Sequence, residues 1–171
     1  MNKEKGLRFN LFLILVSVVP ALVISALIAV ISITSIQNAL KESFYGPLYV
    51  ASSQLNEYFV YDIIANGCVD YEEYSDHEYI ESLQSRGIEL TLFENDTRFL
   101  TSLKNPDGSY NEGTKADPKV VETVKAGNNY SNDDIKINGV RYFVYYEPIY
   151  DGSGNFWGMS FAGKPYKYYA D

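Results

Sequence analysis

Residues 137–165 read INGVRYFVYYEPIYDGSGNFWGMSFAGKP, and this stretch decides the fold. Asn138-Gly139 is a two-residue hairpin signal, because the tightest hairpin turn needs positive φ at both central positions. Strand formers crowd residues 140–146, Asp151-Gly152-Ser153-Gly154 turns the chain, and residues 156–162 form a further strand. Ile135 and Ile137 flank the strand that enters the hairpin. Upstream, Ile88, Leu90 and Leu92 alternate with Glu89 and Thr91, the pattern of a half-buried strand. Asn95-Asp96 signals a turn, residues 97–103 read as the returning strand, and Asn105-Pro106-Asp107-Gly108 is a strong turn. Between the two strand groups, Asp117 can cap and Pro118 can open a short helix with Val120, Val121 and Val124 on its apolar face, ended by Gly127. Five strands with one crossing helix make an α+β fold with an antiparallel sheet.

Residues 9–40 carry no Asp, Glu, Lys, Arg or His, and residues 11–33 are almost wholly apolar. A helix of that length spans about 34 Å, enough for a bilayer core of roughly 30 Å. The run is far longer than a signal-peptide core and no small-x-small cleavage site follows it, so an uncleaved anchor is expected rather than a leader. A type IV pilin is a poor match. With Leu7 as first mature residue the fifth is Leu11, where that family has glutamate, and its proline does not align with Pro20.

Ser17, Ala21, Ser25 and Ala29 roughly share one side of the anchor and would let a second helix approach closely, the basis for an expected homodimer. Ser and Ala are also common in any such helix. Pro20 is expected to bend it. Ile36, Leu40, Phe44, Leu48, Ala51 or Ser52, Leu55, Phe59 and Ile63 then recur at helical spacing. They predict one long helix continuing from the membrane segment, interrupted or bent at Gly46-Pro47 and ended at Asn66-Gly67. Asp76 can cap a second helix over residues 77–86, stopped by Gly87.

The chain of 171 residues carries −8, and Lys3, Lys5 and Arg8 against Glu4 make residues 1–10 +2, so residues 34–171 carry −10. A domain that acidic is a poor partner for nucleic acid. Basic residues before the apolar run and acidic ones after it predict a cytoplasmic tail at 1–10, a membrane helix at 11–33 and an extracytoplasmic domain at 34–171 in the cell membrane. A lone cysteine, Cys68, allows no internal disulfide.

Three stretches, ELTLFENDTRFLTSL, GTKADPKVVETVKAG and INGVRYFVYYEPIYDGSGNFWGMSFAGKP, together resemble the single Cache domain of bacterial membrane chemoreceptors and related sensor proteins. With the long helix before them, the resemblance covers about residues 34–165. It implies a PAS-like sheet beside the long helix and a small-molecule pocket on one sheet face; separately, with no catalytic motif in the sequence, no enzymatic activity is expected. The resemblance also implies a small extracellular solute as ligand: an organic acid, an amino acid or an amine, read out in chemotaxis or another signalling pathway. Family members often carry a basic residue shortly before the Gly-Thr pair, whereas Ser109, Tyr110, Asn111 and Glu112 precede Gly113-Thr114 here. In the family a second membrane helix and a signalling module normally follow the closing strand. No second apolar run precedes Asp171, so output is expected from a signalling partner or from a C-terminal region beyond it.

Arg98, Thr101, Tyr142, Tyr145 and Tyr146 are the candidate ligand contacts, since a pocket needs a few polar groups in an aromatic wall. Arg98 offers a bidentate fork to a carboxylate, and each tyrosine offers apolar area with a hydroxyl. Thr101 joins Arg98 on one face only if Arg98 lies at a bulge or strand end. Alternation puts Tyr142 and Tyr146 on one sheet face with Val144, Tyr145 on the other with Phe143, and Trp157 with Met159 and Phe161. An amine would need the tyrosines with Asp96 or Glu147. His77 among acidic neighbours matches no calcium loop, and no phosphate loop, zinc-protease motif or nucleophile elbow occurs. Neither metal nor cofactor is expected. The competing reading is a surface interaction or structural protein whose sheet faces are filled with core side chains.

Overall fold

The computed structural model describes residues 2–74, 77–84 and 87–166. Its elements are α1 (Asn2–Asn66), α2 (Tyr71–Tyr74), α3 (Glu78–Gln84), β1 (Glu89–Glu94), β2 (Thr97–Thr101), α4 (Pro118–Lys125), β3 (Tyr130–Ile137), β4 (Val140–Tyr150) and β5 (Phe156–Pro165). Two compact units divide the chain, Met1–Glu42 and Ser43–Asp171.

In the first unit α1 contains an eighteen-residue window of mean hydropathy 2.9 with none of it buried, long and apolar enough to cross a membrane. The Ser17 and Ser25 hydroxyls donate back to the carbonyls of Leu13 and Ala21 at 2.9 and 2.8 Å, so the helix itself satisfies them. Ile36 and Leu40 are 60% and 50% exposed, so the apolar stripe is not buried in this part of the helix.

In the second unit the stripe is buried as its spacing requires: Leu48, Ala51, Ser52, Leu55, Phe59 and Ile63 all leave water. Full burial of each large apolar side chain contributes about 1.5–3 kcal/mol. The expected interruption at Gly46-Pro47 is absent, and α1 runs through it. Pro47 faces solvent, where water can take the carbonyl it leaves unpaired, while Leu48 and Ala51 hold the next turn against the sheet. The helix does end at Asn66, with Gly67 at φ +71.

The sheet order is β2-β1-β5-β4-β3, antiparallel throughout. The β1–β2 hairpin turns on Asn95, and α4 carries the chain to the far edge. The β3–β4 hairpin turns on Asn138 and Gly139, at φ +50 and +79, and β5 returns to the centre. Asp117 caps α4 by accepting from the Lys119 amide at 2.8 Å.

Several strands differ in length from their sequence signals. β2 stops at Thr101, β3 begins at Tyr130, and β5 runs to Pro165. β4 continues through Pro148 to Tyr150. Pairing with β3 ends at Tyr130↔Tyr146, so Pro148 stands where β4 has a neighbour on one side only and its missing donor breaks no ladder. α3 starts at Glu78, with His77 ahead of it at φ +59; the expected cap Asp76 and end Arg86 lie outside the described residues.

The two faces carry separate cores. Leu90, Leu92, Leu100, Phe143, Tyr145, Ile149 and Ala162 meet α1, and Phe93, Tyr142, Val144, Tyr146, Met159 and Phe161 meet Val120 and Val124 of α4. Trp157 joins the α1 side, not Met159 and Phe161 as plain alternation requires. The register slips here, with Ile149 opposite Gly158 but Tyr150 opposite Phe156, so Trp157 is the extra residue of a bulge. Beside it the β1 backbone comes so close that a Cβ on Gly158 would lie 1.9 Å from the Phe93 carbonyl oxygen. Polar contacts set how α1 lies on the sheet. The Ser52 and Ser160 hydroxyls, both fully buried, bond at 2.8 Å, and Ser53 donates to Glu147 at 2.8 Å.

Gly158→Ala must therefore push β1 and β5 apart. The expected loss is about 3 kcal/mol, since overpacking against backbone cannot relax by rotamer change. Denaturant unfolding of the full chain in detergent, followed by near-UV circular dichroism, measures it; an unchanged midpoint would contradict the close approach.

Candidate ligand pocket

A second slip places the key cation. Leu92 pairs with Leu100 but Phe93 pairs with Arg98, leaving Phe99 as the extra residue in β2. Phe99 and Leu100 both pack toward the α1 side, and Arg98 turns to the other face, its guanidinium 5.2 Å over the Phe93 ring. This bulge is the condition under which Arg98 and Thr101 share a face.

The segment after β2 folds back against Arg98. The Arg98 amide donates to the Thr114 carbonyl at 2.8 Å, and the Gly113 amide donates to the Arg98 carbonyl at 2.9 Å. Gly113 sits at φ +72, a conformation that glycine takes without steric cost. Arg98 Nη1 donates to Thr114 Oγ1 at 2.6 Å, which in turn donates to the Asn111 carbonyl at 3.1 Å. β2, this segment, the start of α4, β3 and Tyr146 of β4 line an open cavity of about 520 Å³.

Its chemistry is unbalanced. Arg98 is only 9% exposed, and its Nε is buried with no hydrogen-bond partner. Among the described residues no carboxylate lies within ion-pair distance of it. The nearby acids are engaged: Asp117 caps α4, Asp134 pairs with Arg141 at 3.0 Å, and Asp96 pairs with Lys115 at 2.8 Å. Burial pulls the Arg98 pKa down, opposed by Tyr146, yet a guanidinium starts so high that it stays charged at neutral pH. Burial likewise pushes the Tyr146 hydroxyl well above its ordinary value, so it remains a neutral donor. Tyr146 and Asn111 both line the cavity and are, as residues, 3% and 5% exposed. Val120, Ile135 and Ile137 supply apolar wall. The lining sets the Arg98 guanidinium beside the neutral polar residues Asn111, Thr114 and Tyr146 and an apolar wall.

The five candidate contacts do not converge. Arg98 and Tyr146 line the cavity. Thr101 is fully buried and committed, bonded to Thr91 Oγ1 at 2.6 Å and the Leu90 carbonyl at 3.2 Å, and is not among the lining residues. Tyr142 borders a separate hollow of about 290 Å³ with Glu89, Ser102 and Asn138. Tyr145 is on the opposite face, edge-on to Tyr49 of α1 at 5.7 Å, its hydroxyl pushed up to about 12 by burial first and then by Glu147 and Tyr49. Asn111, Thr114 and Asp117 were missed as lining groups. Their residues stood in the turn and helix-start signals, but only the fold brings that segment over the sheet.

An unpaired buried guanidinium opposes folding. Arg98→Met, which keeps the volume and removes the charge, is expected to leave the ligand-free protein as stable or up to about 2 kcal/mol more stable. Thermal unfolding of the full chain reads this directly, and a loss of several kcal/mol would show that Arg98 is a structural cation.

The sequence model for single Cache domain 3 matches residues 72–171, more than half of the chain and the segment that carries α3 to β5. No curated protein matches the chain. The α+β fold with its five-stranded antiparallel sheet is consistent with that match, and the chain belongs to the single Cache domain family.

Proposed function

We propose that this protein is a membrane-anchored sensor whose cavity binds a small organic anion, an organic acid or amino acid, from outside the cell. The family supplies the coarser statement, an extracellular ligand-sensing domain in signalling; Cache domains are sensors rather than catalysts. The observation that carries the finer one is the buried Arg98 Nε without a partner. Burying a charge unpaired is costly, and an incoming carboxylate removes that cost through a charge-assisted hydrogen bond. An amine finds no equivalent, because Asp117 and Asp134 already have partners.

In this reading residues 1–10 lie in the cytoplasm, 11–33 cross the membrane and 34–171 stand outside, as the charge asymmetry supports. The apolar window of α1 supports the anchor. The signal leaves through α1, which the Ser52–Ser160 and Ser53–Glu147 contacts tie to β5 and β4. A homodimer through the helices and a signalling partner, in chemotaxis or a related pathway, complete the output. Ligand shifts the sensor only by the difference in its affinity for two states.

Thermal unfolding of the full chain in detergent, titrated with carboxylic acids, amino acids, amines and purines, tests the assignment. Carboxylates are expected to raise the midpoint steadily with the logarithm of their concentration, the added stability reaching about 2.7 kcal/mol at a hundred times Kd. Arg98→Met should abolish the rise, and Tyr145→Phe, on the other face, should leave it intact. A rise with amines alone, or one that survives Arg98→Met, would overturn the anion assignment.

A further inference from the structure

His77 is the one histidine in the chain, and it is 4% exposed. It stands at φ +59, a conformation that a glycine would take freely and a histidine takes with strain. Such strain persists only where surrounding contacts hold it. Here the ring lies flat on Tyr110, centroids 3.7 Å apart and planes within 2°, and Nε2 is 2.6 Å from Glu112 Oε1. A carboxylate only accepts, so Nε2 donates. Around this contact the Tyr110 hydroxyl donates to Glu81 of α3, and Lys104 pairs with the same carboxylate at 3.0 Å. Those two partners hold the Glu81 carboxyl below its usual range, Tyr110 contributing most.

Tyr110 and Glu112 flank Asn111, and Gly113 and Thr114 follow. This is the segment that walls the cavity and grips Arg98 from the other side. Backbone bonds tie its start to residues 103–105, the Asn111 amide donating to the Leu103 carbonyl at 2.9 Å, and side chains hold it from Arg98 on β2, from Glu81 of α3 and from His77 ahead of α3. We propose that His77 is a positioning residue for the ligand cavity: through Glu112 and Tyr110 it clamps the 109–114 wall so that Asn111 and Thr114 stay aimed at the Arg98 site. The cavity's use for an anion rests on the function proposed above; the clamp itself does not. Its consequence for that site is regulation of affinity. Binding to a preset wall avoids the entropy of ordering it, so loosening the clamp weakens the ligand without touching any atom that contacts it.

The test needs no ligand in its first arm. Hydrogen exchange of the full chain in detergent is followed by mass spectrometry on the peptide covering 104–116. His77→Gly removes the ring at a φ that glycine accepts, so folding is preserved, and His77→Gln keeps a donor near Nε2. Exchange in 104–116 is expected to rise roughly tenfold in His77→Gly and to return to within about threefold of the parent in His77→Gln. Peptides covering β1 and β5 should not change. Glu112→Gln, which keeps the shape and removes the charge from the partner side, should loosen the same peptide. Unchanged exchange in His77→Gly, or an equal rise across the sheet, overturns the clamp.

In the second arm pyruvate, succinate and alanine are titrated calorimetrically. Whichever binds the parent should bind His77→Gly roughly tenfold more weakly and His77→Gln nearly as well as the parent. Undiminished binding to a loosened His77→Gly would overturn the positioning role. If none binds the parent, the anion reading fails while the exchange arm still decides the clamp.

Discussion

Two faces of one sheet must leave water, and their covers are very unequal. α1 lays a stripe of Leu48, Ala51, Ser52, Leu55, Phe59 and Ile63 along one face, long enough to reach four of the five strands' core residues. The other face has α4, eight residues long, which contributes Val120 and Val124. One short helix cannot close a five-stranded sheet. The space beside α4 is left to irregular backbone and polar side chains, and there the cavity forms. The position of the site thus follows from coverage: a wholly apolar core needs regular apolar elements on both sides, and only one side has them.

Bulges decide which chemistry faces that space. Strict alternation along β2 would separate Arg98 from Thr101 and send Phe99 to the cavity side. One extra residue reverses this, placing an aromatic ring against the α1 core and a guanidinium over Phe93. The slip in β5 does the same for Trp157 and leaves Gly158 where β1 permits no side chain. Both bulges occur where a bulky residue is better buried beneath α1 than on the cavity side. The gain from burying a large aromatic side chain exceeds what is lost with one local break in the ladder.

The domain's charge and the cavity's charge have opposite signs. Residues 34–171 carry −10, yet the least exposed ionised group that lines the cavity is Arg98. At a distance the acidic surface repels an anion, and salt screens that repulsion within about 10 Å. Inside, the low dielectric strengthens the short-range attraction to the guanidinium. Net charge therefore bears on a polyanion such as nucleic acid and is uninformative about a small ligand, because the two depend on charge over different ranges.

Periodicity and turn chemistry are local, and what they dictate is found in the structure: the long apolar helical segment, the stripe of α1 from Leu48 to Ile63, the Asn138-Gly139 hairpin, the Asp117 cap and the five strands. Each depends on residues within one or two turns of each other, so the sequence by itself determined the element order and the α+β class. Tertiary structure decided the rest. It carried α1 through Gly46-Pro47, because packing on both sides outweighed one missing hydrogen bond. It split Tyr145 from Tyr146 as alternation required, but sent Tyr142 to a different hollow and committed Thr101 to Thr91. It brought Asn111, Thr114 and Asp117 beside Arg98, and His77 beside Glu112 across 35 residues of chain. Such convergence is set by bulge positions and by how a loop returns over a sheet, which are long-range packing choices that no spacing within a single element records.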